Sequence, residues 1–135
     1  MGIKKMKRNF ILSVLLFLFS CALFAQSNNK WLYCVTNTTN DSKYYVDKYR
    51  IEKNKDLYIA WIKIVPADEA FYYISKMAFD EEGGRYVVAT TSMYNKYTDK
   101  FIYSNDEVSG PYDLIPGSVA EYILLFIKEK LRNGR

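Results

Sequence analysis

The side chains able to do chemistry in this chain are few. Histidine is absent from all 135 residues, which removes the commonest general base and metal ligand. The cysteines are Cys21 and Cys34, too few for a zinc cluster and without the histidine that a Cys–His nucleophile pair requires. Carboxylates come in short runs: Asp68–Glu69, Asp80 to Glu82, and Asp106–Glu107. Two of them could hold calcium or divide acid and base roles, so a hydrolase built on Asp80 and Glu82 is the enzymatic reading. Each run sits in a turn, however, where acids are ordinarily just solvated. Gly83–Gly84 lacks the spacing of a phosphate loop. The chain is therefore expected not to be an enzyme, and no cofactor or metal is expected.

Tyrosine is the residue type that stands out. Thirteen occur, with Tyr44–Tyr45 and Tyr72–Tyr73 as adjacent pairs that in a strand point to opposite faces. One member of each pair is thus expected at a rim or in solvent. Exposed tyrosine on a rigid sheet suits protein recognition, because it offers a large amphipathic contact at low entropic cost. The competing reading is that the tyrosines fill a small core with their hydroxyls at its edge.

The elements that would carry these residues follow a leader. Residues 1–9 hold Lys4, Lys5, Lys7 and Arg8 and no acid, and run into sixteen residues from Phe10 to Ala25 dominated by apolar side chains. A transmembrane helix needs about 20, so residues 1–25 read as a secretory signal peptide. Cleavage after Ala25 would free Gln26. Cleavage before Cys21 would instead use "LFSC" as a lipobox and lipidate Cys21, although Phe19 is bulky for that motif and the residues that follow are apolar; the unlipidated form is favoured. The whole chain has 19 basic and 15 acidic residues. Because the leader holds four of those bases, residues 26–135 carry fifteen of each and are net neutral. A nucleic-acid partner, which needs excess cationic surface to displace counterions, is accordingly not expected.

Residues 26–135 read as one domain. Trp31 to Thr36 alternates as a strand, and "NTTNDS" (37–42) is a turn cluster. Cys34, alone in the form cut after Ala25, is expected to be buried in that strand. Lys43 to Lys53 alternates again, and Leu57 to Val65, apolar on both sides except at Lys63, reads as a central strand covered on both faces or nearly so. Pro66 stops it. Glu69–Phe79 and Arg85–Tyr94 form a hairpin around "DEEGGR", with a helix over 69–79 as the alternative; "FIYS" (101–104) is a last short strand before a long connection. The expected fold is α+β, mainly β: an antiparallel meander sheet of about six strands with one C-terminal α-helix packed on one face. Ser118 and Glu121 form a capping box in which the serine accepts the Glu121 amide and Glu121 reaches back to the serine amide. Val119, Tyr122, Ile123, Phe126 and Ile127 recur at helical spacing, and Leu124 and Leu125 widen that face. Too short to span a bilayer, the helix is expected to close the sheet rather than lie on a membrane.

Trp31, "YYVD" at 44–47, "AWIK" at 60–63, "FD…RYV" at 79–87 and "IPGSVAEYI" at 115–123 together resemble the surface-adhesin protein E family of bacterial exported proteins. The resemblance spans nearly all of residues 26–135. It implies the same sheet, with the helix on its concave face, and a protein-binding role. The namesake members are surface lipoproteins that bind host matrix and plasma proteins and can dimerise, so the implied partners are host or envelope proteins and a second copy. They tether the helix by a disulfide, for which this chain has no cysteine in or after the helix. A periplasmic structural or accessory protein is the alternative function, and a lipid anchor at Cys21 the one route to a membrane.

Overall fold

The computed structural model describes residues 30–134. The segment read as a signal peptide, with Cys21, lies outside the described residues. Seven strands form one antiparallel sheet: β1 Trp31–Thr36, β2 Lys43–Asn54, β3 Leu57–Val65, β4 Phe71–Asp80, β5 Arg85–Asn95, β6 Phe101–Asn105 and β7 Ser109–Asp113. The first six pair in sequence order, a meander, and β7 pairs with β5. Among the described residues one α-helix, α1, spans Val119–Arg132. The alternating residues of 69–79 form a strand and not the alternative helix, with Phe71, Tyr73, Ser75, Met77 and Phe79 on one side.

The seventh strand corrects the expected long connection after β6. Gly110 and Pro111 read as breakers, and a central strand would not tolerate them. β7 is an edge segment, pairing with the Arg85 end of β5 while β6 pairs with the Tyr94 end. On an edge, a residue without an amide proton can face outward at no cost to the ladder.

The core lies between one sheet face and α1. Val46 and Ile51 of β2, Ala60 and Ile62 of β3 and Met77 and Phe79 of β4 meet Ala120, Ile123, Leu124 and Ile127 of the helix. The helix lies over β1, β2 and β3. Its start follows the sequence closely: the Ser118 hydroxyl accepts from the Glu121 amide at 3.3 Å. The return half of the box differs. Glu121 Oε1 accepts from the Gly117 amide at 3.1 Å, because the Ser118 amide is already donated to the Ile115 carbonyl in the turn that precedes the helix. Gly117, at φ +79°, supplies the left-handed conformation that aims its amide at the glutamate. Lys130 and Arg132 end the helix against its negative pole.

The buried stripe of α1 is displaced from the expected one. Leu124, expected only to widen the face, is buried together with Ala120, whereas Tyr122 and Leu125 are exposed and Phe126 is half-buried at the margin of the core. Six consecutive apolar residues, 122–127, satisfy helical spacing in two adjacent phases, so periodicity leaves the rotation open. The small Ala120 faces the sheet in the realised phase. β3 likewise has a helix over one face only, and its other face is closed in part by neighbouring side chains. Among the described residues no helix is long and apolar enough to cross a membrane.

Truncation should rank the helix contacts. Ile127 is fully buried and Ile123 nearly so, so Ile127→Ala should cost about 2–5 kcal/mol in denaturant unfolding. Phe126→Ala, although it removes more atoms, should cost less, and the reverse order would place the helix in the other rotation.

Candidate functional site

Strand alternation and register separate the tyrosine pairs as their adjacency requires. Tyr44 points to the helix side, half-buried against the core, and burial raises its hydroxyl above the ordinary tyrosine range against a smaller lowering by its bond to Asn37. Tyr73 is on that same side, beyond the helix, and its hydroxyl donates to Glu69 Oε2 at 3.0 Å. Tyr45 and Tyr72 belong to the opposite, open face. Neither pair supplies an exposed member. Tyr45 is half-buried with Tyr33 set edge-on to it at 5.9 Å, and Tyr72 is only 8% exposed. Aromatic and lysine neighbours on their own face cover them, which intrastrand alternation cannot reveal.

The open face is built row by row. Tyr33, Tyr45, Lys63, Ile74, Ser92 and Ser104 succeed one another across β1 to β6. Beside that row Tyr72 stacks on Tyr94 at 5.2 Å with the rings 8° from parallel. Lys63 Nζ lies 4.4 Å from the Tyr72 ring centroid, and Phe101 meets Tyr94 edge-on at 5.7 Å. The Tyr72 hydroxyl donates to Asp99 Oδ1 at 3.1 Å, tying β4 to the β5–β6 turn. Burial first, then the adjacent Asp99 carboxylate, pushes this hydroxyl up to about 12.

On the other side of the row Trp61 is flanked by two cations. The Arg50 guanidinium carbon is 5.6 Å and Lys76 Nζ 6.0 Å from the indole. A register shift between Val46 and Ile51 in β2 positions Arg50. Asp47, 1% exposed, accepts the Tyr49 amide at 3.0 Å and lies 3.7 Å from Arg50 Nε. The bulge thus turns Arg50 onto the open face while Ile51 returns to the core. A cleft of about 330 Å³ opens there, lined by Tyr49, Arg50, Glu52, Ile59, Trp61 and Lys76 among others. The sequence reading named neither Trp61 nor the cations as site residues. The available signal was Lys63 and Lys76 at outward positions of otherwise apolar or aromatic strands.

Of the acids considered for hydrolysis, Glu82 is exposed in the β4–β5 turn, and several of the others hold turns or ion pairs. Asp80 Oδ1 accepts the Gly83 amide at 2.9 Å, Glu81 pairs with Lys128 of α1, and Asp106 Oδ1 accepts from Thr90 at 2.7 Å. Among the described residues no three potential ligands gather as a metal site. Cys34 is half-buried under the start of α1, its thiol donating to the Tyr122 carbonyl at 3.9 Å. Burial pushes its pKa up to about 12, which leaves almost no thiolate near neutral pH. No family model, curated protein or solved structure matches the chain.

These shifts set an alkaline limit on stability. Tyrosine in the unfolded chain ionises near 10.0, whereas Tyr72 in the fold stays neutral to about 12. In that window the unfolded state binds fewer protons, so stability falls as pH rises. Denaturant midpoints should therefore decline from about pH 10 upward, and less steeply in Tyr72→Phe; identical slopes for the two proteins would refute the shift.

Proposed function

We propose that this chain is an exported, non-enzymatic protein-binding module that meets its partners through the open face of the sheet. The observation that carries the reading is the group on that face: Trp61 between Arg50 and Lys76, and stacked Tyr72 and Tyr94 under Lys63. Trp, Tyr and Arg are the residue types that concentrate binding energy in interfaces. A cation over an exposed ring gains only about 0.5–1 kcal/mol, less than a desolvated, hydrogen-bonded ion pair can supply. A partner's carboxylate can thus draw the cation aside, and its apolar groups can take the uncovered ring. An acidic protein surface is the complementary shape and charge.

The structural employment of Asp80, Glu81 and Asp106 supports the non-enzymatic half of the proposal. Export rests on the leader, and the kind of partner on the resemblance to the surface-adhesin protein E family. An adhesin would bind host matrix or plasma proteins; a periplasmic accessory protein would bind a neighbour in the envelope. The same face serves either role.

Surface labelling of intact cells expressing the full-length chain, together with binding of the processed protein to matrix, plasma and envelope proteins, tests this reading. Trp61→Ala with Lys76→Glu should weaken binding about tenfold or more, without loss of the fold, and added salt should slow association. Protein retained in the cytoplasm, or binding indifferent to both substitutions, would overturn the proposal.

A further inference from the structure

On the helix side the apolar core opens at one end into a cleft. Tyr58 of β3 lies opposite fully buried Phe79 of β4 on one hand and Lys53 of β2 on the other, so its ring carries the apolar surface of the core outward toward the β2–β3 turn. Leu131, in the last turn of α1, packs at the same margin of the core. Between the last two turns of the helix and this hairpin lies a cleft of about 630 Å³, within the roughly 300–1,000 Å³ of small-ligand sites. Its apolar wall is Tyr58, Leu131 and Leu125. Leu125 is 50% exposed, an outward leucine on the helix flank that presents Lys128 and Arg132 one and two turns later.

The rim of the cleft is cationic. Lys53, Lys128 and Arg132 line it against one acid, Glu129, in a domain whose residues 26–135 carry no net charge. Lys128 is held by Glu81. Lys53 and Arg132 are exposed and form no ion pair with a carboxylate among the described residues; Lys53 sets its ammonium 5.2 Å from the Tyr58 ring centroid. Apolar surface and uncompensated positive charge in one cavity call for a ligand that complements both. An inorganic anion would leave Tyr58, Leu125 and Leu131 wet, and a neutral hydrocarbon would leave the cations uncompensated. An acyl chain ending in a carboxylate answers both needs: the chain removes the apolar wall from water, and the carboxylate replaces the weak ring contact of Lys53 with a charge-assisted hydrogen bond.

We propose that this cleft binds a single anionic amphiphile of the fatty-acid class, its acyl chain along Tyr58, Leu125 and Leu131 and its carboxylate between Lys53 and Arg132. The cleft lies on the helix side of the sheet, apart from Trp61 and Lys76 on the open face, so the two sites can be occupied independently. Occupancy bridges the β2–β3 hairpin to the C-terminal end of α1, and a ligand that binds only the folded chain stabilises it.

Calorimetric titration of the processed protein with laurate, kept below its micellar concentration, tests the inference. Saturable binding of one molecule per chain and a raised thermal unfolding midpoint are expected, with inorganic phosphate and dodecyltrimethylammonium each binding about tenfold more weakly or worse. Lys53→Glu with Arg132→Glu should weaken laurate about tenfold or more by reversing the charge around the carboxylate, and Leu125→Ser about fivefold by removing part of the apolar wall. All three positions are exposed, so circular dichroism should show the fold intact, and Trp61→Ala with Lys76→Glu should bind laurate as the wild type does. No saturable binding of laurate, equal binding of the cationic analogue, or an affinity unmoved by Lys53→Glu with Arg132→Glu would overturn the inference. Binding confined to phosphatidylglycerol vesicles would overturn it too, by making the helix flank a membrane contact instead of a ligand site.

Discussion

The structure depends on how much sheet one helix can cover. α1 has fourteen residues, about 21 Å of length and 10 Å of width. The sheet is six strand positions across, roughly 24 Å, and its longest strand has twelve residues, roughly 40 Å. The helix therefore closes only the part of one face over β1 to β3. Val46, Ala60, Ile62, Met77 and Phe79 meet the helix from the sheet, and the dry core is confined to that contact. What remains is an open second face and a far margin, which the chain must manage with side chains alone.

On the open face, management takes the form of aromatic rings covered by one another and by cations. Stacking of Tyr72 on Tyr94 removes ring area from water without a second layer. Lys63 sets its ammonium over the Tyr72 ring, and Arg50 and Lys76 set their cationic groups over the Trp61 ring. Such a cover is only one side chain deep. Asp47 illustrates how tightly the backbone supports it: a buried carboxylate holds the Tyr49 amide and stands close to Arg50, so the β2 bulge and the orientation of the guanidinium are one feature. Two acids of the Asp80 to Glu82 run do comparable structural work elsewhere, Asp80 closing the turn to Gly83 and Glu81 joining it to the helix.

The far margin is managed less completely. β7 is guarded by Pro111, whereas β6 presents uncharged backbone and apolar side chains bounded by one positive and one negative residue.

Local chemistry was legible along the chain. Period-two alternation marked β1, β2 and β4, a run apolar on both sides marked β3, β-branched and aromatic composition marked β5, Pro66 marked the end of β3, and Ser118 with Glu121 marked the start of α1; each depends on residues within a few positions of one another. The tyrosine pairs were correctly divided between faces for the same reason. Tertiary structure alone decided the rest. It chose which of two apolar stripes on α1 meets the sheet, leaving Tyr122 in water and burying Leu124, because the choice turns on fit against β1 to β3 and not on helical spacing. It made a strand of Ser109–Asp113, since an edge position excuses the proline that sequence reads as a break. It also gathered Arg50, Trp61, Lys63, Lys76, Tyr72 and Tyr94 from four strands onto one face, a grouping set by register, which involves pairings between residues too far apart in sequence for any local pattern to record.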